Sequence, residues 1–98
     1  MTAAQKKIVE RITVLKAGIT HESIKNMDST QLDETLDTLN KMYRFACFDR
    51  SEFITPEFRT GMQKWCVDRM IECCDTKRKH INASLKKLRD LKTKLHAE

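Results

Sequence analysis

From Val67 to Leu95, apolar side chains return every three or four residues, and neither glycine nor proline interrupts them. Val67, Met70, Ile71, Cys74, Ile81, Leu85, Leu88 and Leu95 keep helical spacing, which predicts one long helix reaching about residue 95. Arg78 breaks the stripe once, and Leu91 stands beside the position, Lys92, where the spacing asks for an apolar residue. A chain of 98 residues that commits so much of its length to one helix has room for a single small domain.

The rest of the chain carries the same period. Ile8, Ile12, Leu15 and Ile19 give a first helix over about residues 3–22, weakened by Gly18 and fraying through residues 20–23 into a connection. A second helix starts at Asp28 or Ser29, with Gln31 placed three residues after Asp28 as a capping box requires. Its stripe is Leu32, Leu36, Leu39, Tyr43 and Ala46, with Met42 on the flank. Phe45, Phe48 and Phe53 surround a charged break, Asp49-Arg50-Ser51-Glu52, that suits a turn or one short helix. Thr55-Pro56-Glu57 then opens a short third helix of about residues 56–64: threonine caps, proline is pre-set for the first helical position, and glutamate complements the helix dipole. With two glycines and one proline, 40% hydrophobic and 34% charged residues, the composition is helical and globular. The expectation is an all-α domain over residues 1–85, with residues 86–98 continuing the last helix as a protruding end. Leu36 and Leu39 belong to its expected core.

Charge is unevenly placed. Residues 75–98 hold eight basic and three acidic residues, which accounts for the whole net charge of +5. That end is expected to be a solvated helix face with at most weak attraction for nucleic acid or acidic partners. No apolar run approaches the length of a membrane span, and the amphipathic start MTAAQKKIVERI lacks the continuous apolar core of a signal peptide. Cys47, Cys66, Cys73 and Cys74 show no disulfide framework and no CxxC pair, which suits reduced, mostly buried thiols in an intracellular compartment.

Catalytic chemistry is not legible. His21, His80 and His96 have no cysteine or aspartate partner at catalytic or zinc spacing; Cys73 and His80 share a helix face, but two ligands do not make a metal site. There is no glycine-rich phosphate loop and no hydrolase or metalloprotease motif. The chain is expected to be no enzyme and to need no metal or cofactor.

Two stretches carry a resemblance. Residues 24–39 (IKNMDSTQLDETLDTL) and 62–71 (MQKWCVDRMI) follow the order of a tight Ile-x-Asn-Met-Asp connection, a helix with Leu-Asp-x-Leu, a break, a short helix, and Trp-x-Val opening the last helix. This resembles the integrase-binding domain of LEDGF and the hepatoma-derived-growth-factor-related proteins, within the wider group similar to the TFIIS N-terminal domain. The likeness covers most of residues 5–85. It implies a compact right-handed bundle of two helical hairpins joined by a short helix, four to five helices in all. It implies a working surface at the tip where two interhelical loops meet. There the family's loop isoleucine matches Ile24, its pocket aromatic Trp65 and its pocket valine Val67, while Met27 and Met62 fall at two further apolar pocket positions. Lys25, Asn26 and Lys64 complete the partner-binding set. The family's aspartate after the loop isoleucine is Lys25 here, a cation suited to a partner carboxylate or helix C-terminus. The basic run before the aromatic is thinned to Thr60, Gly61, Gln63 and Lys64.

The resemblance therefore implies a non-catalytic, nuclear, chromatin-associated adaptor domain. It would dock short, partly disordered, Phe-containing acidic motifs of transcription regulators or chromatin enzymes such as kinases. The family's complete proteins carry an N-terminal PWWP domain that reads methylated histone tails, so the module would act as a tether. Two other readings come from the residues themselves. One is a dimerisation module using residues 74–95; the other is a weak nucleic-acid binder using the basic end.

Overall fold

The computed structural model describes residues 2–48 and 54–97. Over them it is all-helical: α1 (Ala3–Gly18), α2 (His21–Lys25), α3 (Ser29–Phe48) and α4 (Pro56–Ala97). The charged break at 49–52 and Phe53 lie outside the described residues.

Each helix begins where a side chain can satisfy its free amides. The Gln5 amide donates to Thr2 Oγ1 (3.2 Å) and the Thr2 amide to Gln5 Oε1 (2.7 Å). The same reciprocal pair joins Asp28 and Gln31 at 2.8 and 2.9 Å, as the capping box in the sequence predicts. Thr55 Oγ1 accepts from the Phe58 amide (3.1 Å) ahead of Pro56. Residues 20–23, expected to fray, instead form a third capping box. The Ser23 amide donates to Thr20 Oγ1 (3.1 Å) and the Thr20 amide to Ser23 Oγ (2.8 Å). The helical turn they nucleate is α2, which lays Ile24 into the core at 1% exposure.

The expected short helix ending near residue 64 and the long helix after it are one element of 42 residues. The reason is the face that α4 buries. Met62, Cys66, Cys73 and Thr76 are its buried residues, a heptad-like series that passes through residue 65 without a phase change. Two cysteines and a threonine are weak apolar signals. The larger side chains between Cys66 and Cys73, Val67 and Ile71, are 39% and 55% exposed. A similar offset holds in α3, where Leu32, Thr35, Leu39, Met42 and Ala46 are buried and Leu36 and Tyr43 flank them half-buried.

Cross-helix contacts fix the directions. Asp33 meets Lys77, and Arg59 Nη1 donates to the carbonyl of Ala46, so α3 and α4 run antiparallel. Lys16 lies over Trp65 and the Ile19 carbonyl accepts from Arg69, so α1 runs parallel to α4. The core has two layers. One gathers Ile12, Met42, Ala46, Met62 and Cys66; the other gathers Ile19, Ile24, Leu32, Leu39 and Cys73. Trp65 and Met70 pack against both.

Cover ends at Lys77. Every described residue from Arg78 onward is exposed, so α4 leaves the body inside the stretch expected to belong to it. Twenty residues at 1.5 Å each make an overhang of about 30 Å. The principal extents, 70 × 19 × 16 Å, are those of a short bundle with a rod attached.

Candidate functional site

The residues expected at a shared tip are placed as follows. Ile24 and Met62 are core side chains, 1% and 2% exposed, and belong to different layers. Ile24 packs in the layer of Cys73, eleven residues beyond Met62, or about 16 Å along α4. Because α4 has no break near Trp65, residues 62–67 sit within a helix and not at a helix junction, and Ile24 and Met62 do not meet in one pocket. Lys25, Asn26 and Lys64 are exposed. Asn26 Nδ2 donates to the Glu22 carbonyl (3.0 Å) and so finishes α2. Met27 is half-buried, with its sulfur accepting from Thr35 Oγ1 at 3.2 Å. Val67 faces away from Trp65: it shares a shallow surface with Tyr43 of α3, whereas Trp65 faces α1.

Trp65 is half-buried and is held by charge. Lys16 Nζ stands 5.3 Å and the Arg69 guanidinium 5.6 Å from its ring centre. Each such cation–π contact contributes about 0.5–1 kcal/mol at a partly exposed site. Arg69 continues inward, donating from Nε to the Ile19 carbonyl (3.3 Å) and from Nη1 to Glu72 Oε1 (3.0 Å). His21 Nδ1 reaches the same carboxylate oxygen at 2.9 Å. Trp65, Arg69 and Glu72 thus clasp the end of α1 and the start of α2 to α4. The ring is partly core and partly surface, with two cations within 6 Å of its centre.

The two buried thiols, Cys66 and Cys73, are poor nucleophiles. Burial pushes Cys66 up to about 11 and raises Cys73 as well. Cys47 is half-buried and accepts from Gln63 at 3.4 Å, and the Tyr43 hydroxyl is raised above its ordinary range first by its own hydrogen bond with Cys47 and then by that thiol's charge. Only Cys74 among the four is exposed.

Two concavities bear on the question of a partner. A groove of about 420 Å³ between α1 and α3 is lined by Ile8, Leu15, Met42 and Phe45, with Arg11 and Lys41 on its rim. A shallow notch of about 360 Å³ lies where α4 leaves the body, between Ser29 of α3 and Lys77, Ile81, Ser84, Leu85 and Leu88 of α4. The notch opens onto a row of exposed apolar side chains. Ile81, Leu85, Leu88, Leu91 and Leu95 are 63%, 40%, 63%, 52% and 66% exposed along one side of the overhang. At 3.6 residues per turn they span an arc of about 120°, wide enough for a partner-facing helix. The stripe was legible from spacing alone. The notch was not, because Ser29 is brought there by the antiparallel docking of α3. Among the described residues no helix is long and apolar enough to cross a membrane.

Compared with models of protein families, with curated proteins and with solved structures, the chain matches none.

Proposed function

We propose that the chain is a non-catalytic protein-interaction module that presents the far half of α4, residues 78–97, as a docking helix. The observation that carries this reading is the row of five apolar side chains, 40–66% exposed, on a helix face that none of the described residues covers. Burying a leucine or isoleucine contributes about 1.5–3 kcal/mol. A domain this small leaves that stabilisation unused on five neighbouring residues, and a contiguous apolar patch rimmed by polar groups marks an interaction surface.

Position-specific photo-crosslinking in an extract of the source cells tests it. A photoreactive residue at position 88 on the stripe should capture a partner that the same residue at position 79, on the opposite face, does not. Equal yields at 79 and 88, or none at 88, would end this reading.

A second reading rests on Trp65. A ring flanked by Lys16 and Arg69 suits an acidic segment bearing phenylalanine. That reading is the chromatin-associated, nuclear adaptor of the resemblance, with its right-handed bundle of two helical hairpins. Its contacts would come from Trp65, Met27, Lys64 and the exposed Lys25 and Asn26, since Ile24 and Met62 are core. Crosslinks gained at position 64 and absent at 88 would favour it.

A further inference from the structure

We infer that the occupant of the α4 stripe is an acidic amphipathic helix from another protein, and not a second copy of this chain; this rests on the reading of residues 78–97 as a docking helix.

Charge decides between the candidates. Residues 77–97 carry eight lysines and arginines against the single Asp90. Two copies laid side by side would bring sixteen cations and two anions along about 30 Å, in either orientation. Several of those charges would lie within a Debye length of about 8 Å of one another at physiological salt. Lys92 makes the conflict local. It falls inside the apolar arc, between Leu88 and Leu95, where a helical pair places a residue at the seam. In a parallel self-pair in register, Lys92 faces Lys92, a like-charge juxtaposition that specifies against self-association. A glutamate or aspartate on a different helix answers Lys92 at the seam. Further acids at its flank answer Arg89, which borders the stripe.

The stripe also separates this occupant from the polyanions that a basic helix attracts. Phosphate binding uses cations and leaves five exposed leucines and isoleucines without a role. An anionic membrane surface would take the leucines but draw Lys77 and Lys92, both inside the arc, toward its apolar layer. The overhang also carries none of the tryptophan or phenylalanine typical of such helices. The notch beside Ser29 sets where the partner stops. Asp33, which already holds Lys77, stands next to it, so a partner helix is blocked from continuing along α4 past that point.

The test uses the full chain and two synthetic 21-residue peptides of three heptads. Both have leucine at the seam positions; one has glutamate and the other lysine at the flanking positions. The glutamate peptide should bind one-to-one in isothermal titration, at least about tenfold more tightly than the lysine peptide, with affinity falling as salt rises. The double substitution Leu85→Glu, Leu88→Glu should weaken binding by a further factor of about ten or more. The thermal melt of the bundle should stay unchanged, since neither side chain is in the core. Sedimentation should show a monomer at tens of micromolar. A dimer abolished by Leu88→Glu would overturn the proposal while leaving the docking-helix reading intact. Failure of the glutamate peptide to bind a monomeric chain would overturn it too. Binding instead to a 20-base-pair duplex or to phosphatidylserine vesicles, insensitive to Leu85→Glu, would end both.

Discussion

Lys77 of α4 and Asp33 of α3 are joined by an ion pair at the point where α4 loses its last neighbour. The hydrogen bond from Lys77 to Asp33 raises the Lys77 pKa above its ordinary 10.5. A raised lysine pKa means a tie fully present below pH 10.5 and lost as pH climbs through the higher folded value. NMR of the lysine side chains should show Lys77 titrating later than a free lysine, and Asp33→Asn should remove the delay. A Lys77 titration unaffected by Asp33→Asn would show that the pair does not persist in solution.

Core and overhang should answer truncation differently. Leu39 is 0% exposed and Leu88 is 63% exposed. Leu39→Ala is expected to cost about 2–5 kcal/mol, and Leu88→Ala to stay within about 0.5 kcal/mol of the parent. Urea denaturation of the two variants decides; equal costs would mean that the far half of α4 is covered in solution.

Gly61 sits in the interior of α4, exposed, and a Cβ added there would meet nothing within 4 Å. Alanine restricts the unfolded chain and suits the helix, so Gly61→Ala should stabilise by about 0.5–1 kcal/mol. A lower melting temperature for this variant would place a neighbour, from the chain or a second copy, against that turn.

The cysteines should react in order of exposure. Cys74 should be modified first by a neutral disulfide reagent at pH 8, Cys47 more slowly, and Cys66 and Cys73 only on unfolding. Because burial lifts Cys66 from 9.0 to about 11, its protonated form favours the folded state. The corresponding stability is intact below pH 9 and is lost as pH rises from 9 to about 11, a loss of roughly 2–3 kcal/mol. Denaturant melts across that window should show the decline, and Cys66→Ala should flatten it.

Trp65 joins both core layers and two cations. Trp65→Ala is expected to cost about 3–5 kcal/mol, and Trp65→Phe distinctly less, because phenylalanine keeps the packing and the ring face. A cost below about 1 kcal/mol for the alanine variant would mark the ring as mainly a surface feature.

The helix starts at Asp28 and Thr55 and the apolar row from Ile81 to Leu95 were readable because caps and large aliphatics are strong local signals. The continuity of α4 was not. Its buried face is written in Met62, Cys66, Cys73 and Thr76, and three of those four are small or weakly apolar. The eye follows Trp65, Val67 and Ile71 instead, which disagree in phase and suggest a junction. Thr20 and Ser23 carried a recognisable capping pattern that Gly18, just before it, obscured. Ile24 and Met62 were expected on one surface through the resemblance alone, and the structure packs them into different core layers.

The overhang of α4 grows from a helix already wound and clamped by the bundle. An isolated peptide of its length would first have to nucleate a turn, at a factor of about 10⁻³, or ~4 kcal/mol. Here Thr76 and the residues before it supply that turn, and the remaining twenty extend it one hydrogen bond at a time. The tip can therefore unwind and rewind cheaply while its base stays fixed. A partner meeting it faces a template that is pre-formed near the body and adjustable toward Leu95, so pairing can begin at Ile81 and advance outward like a zipper.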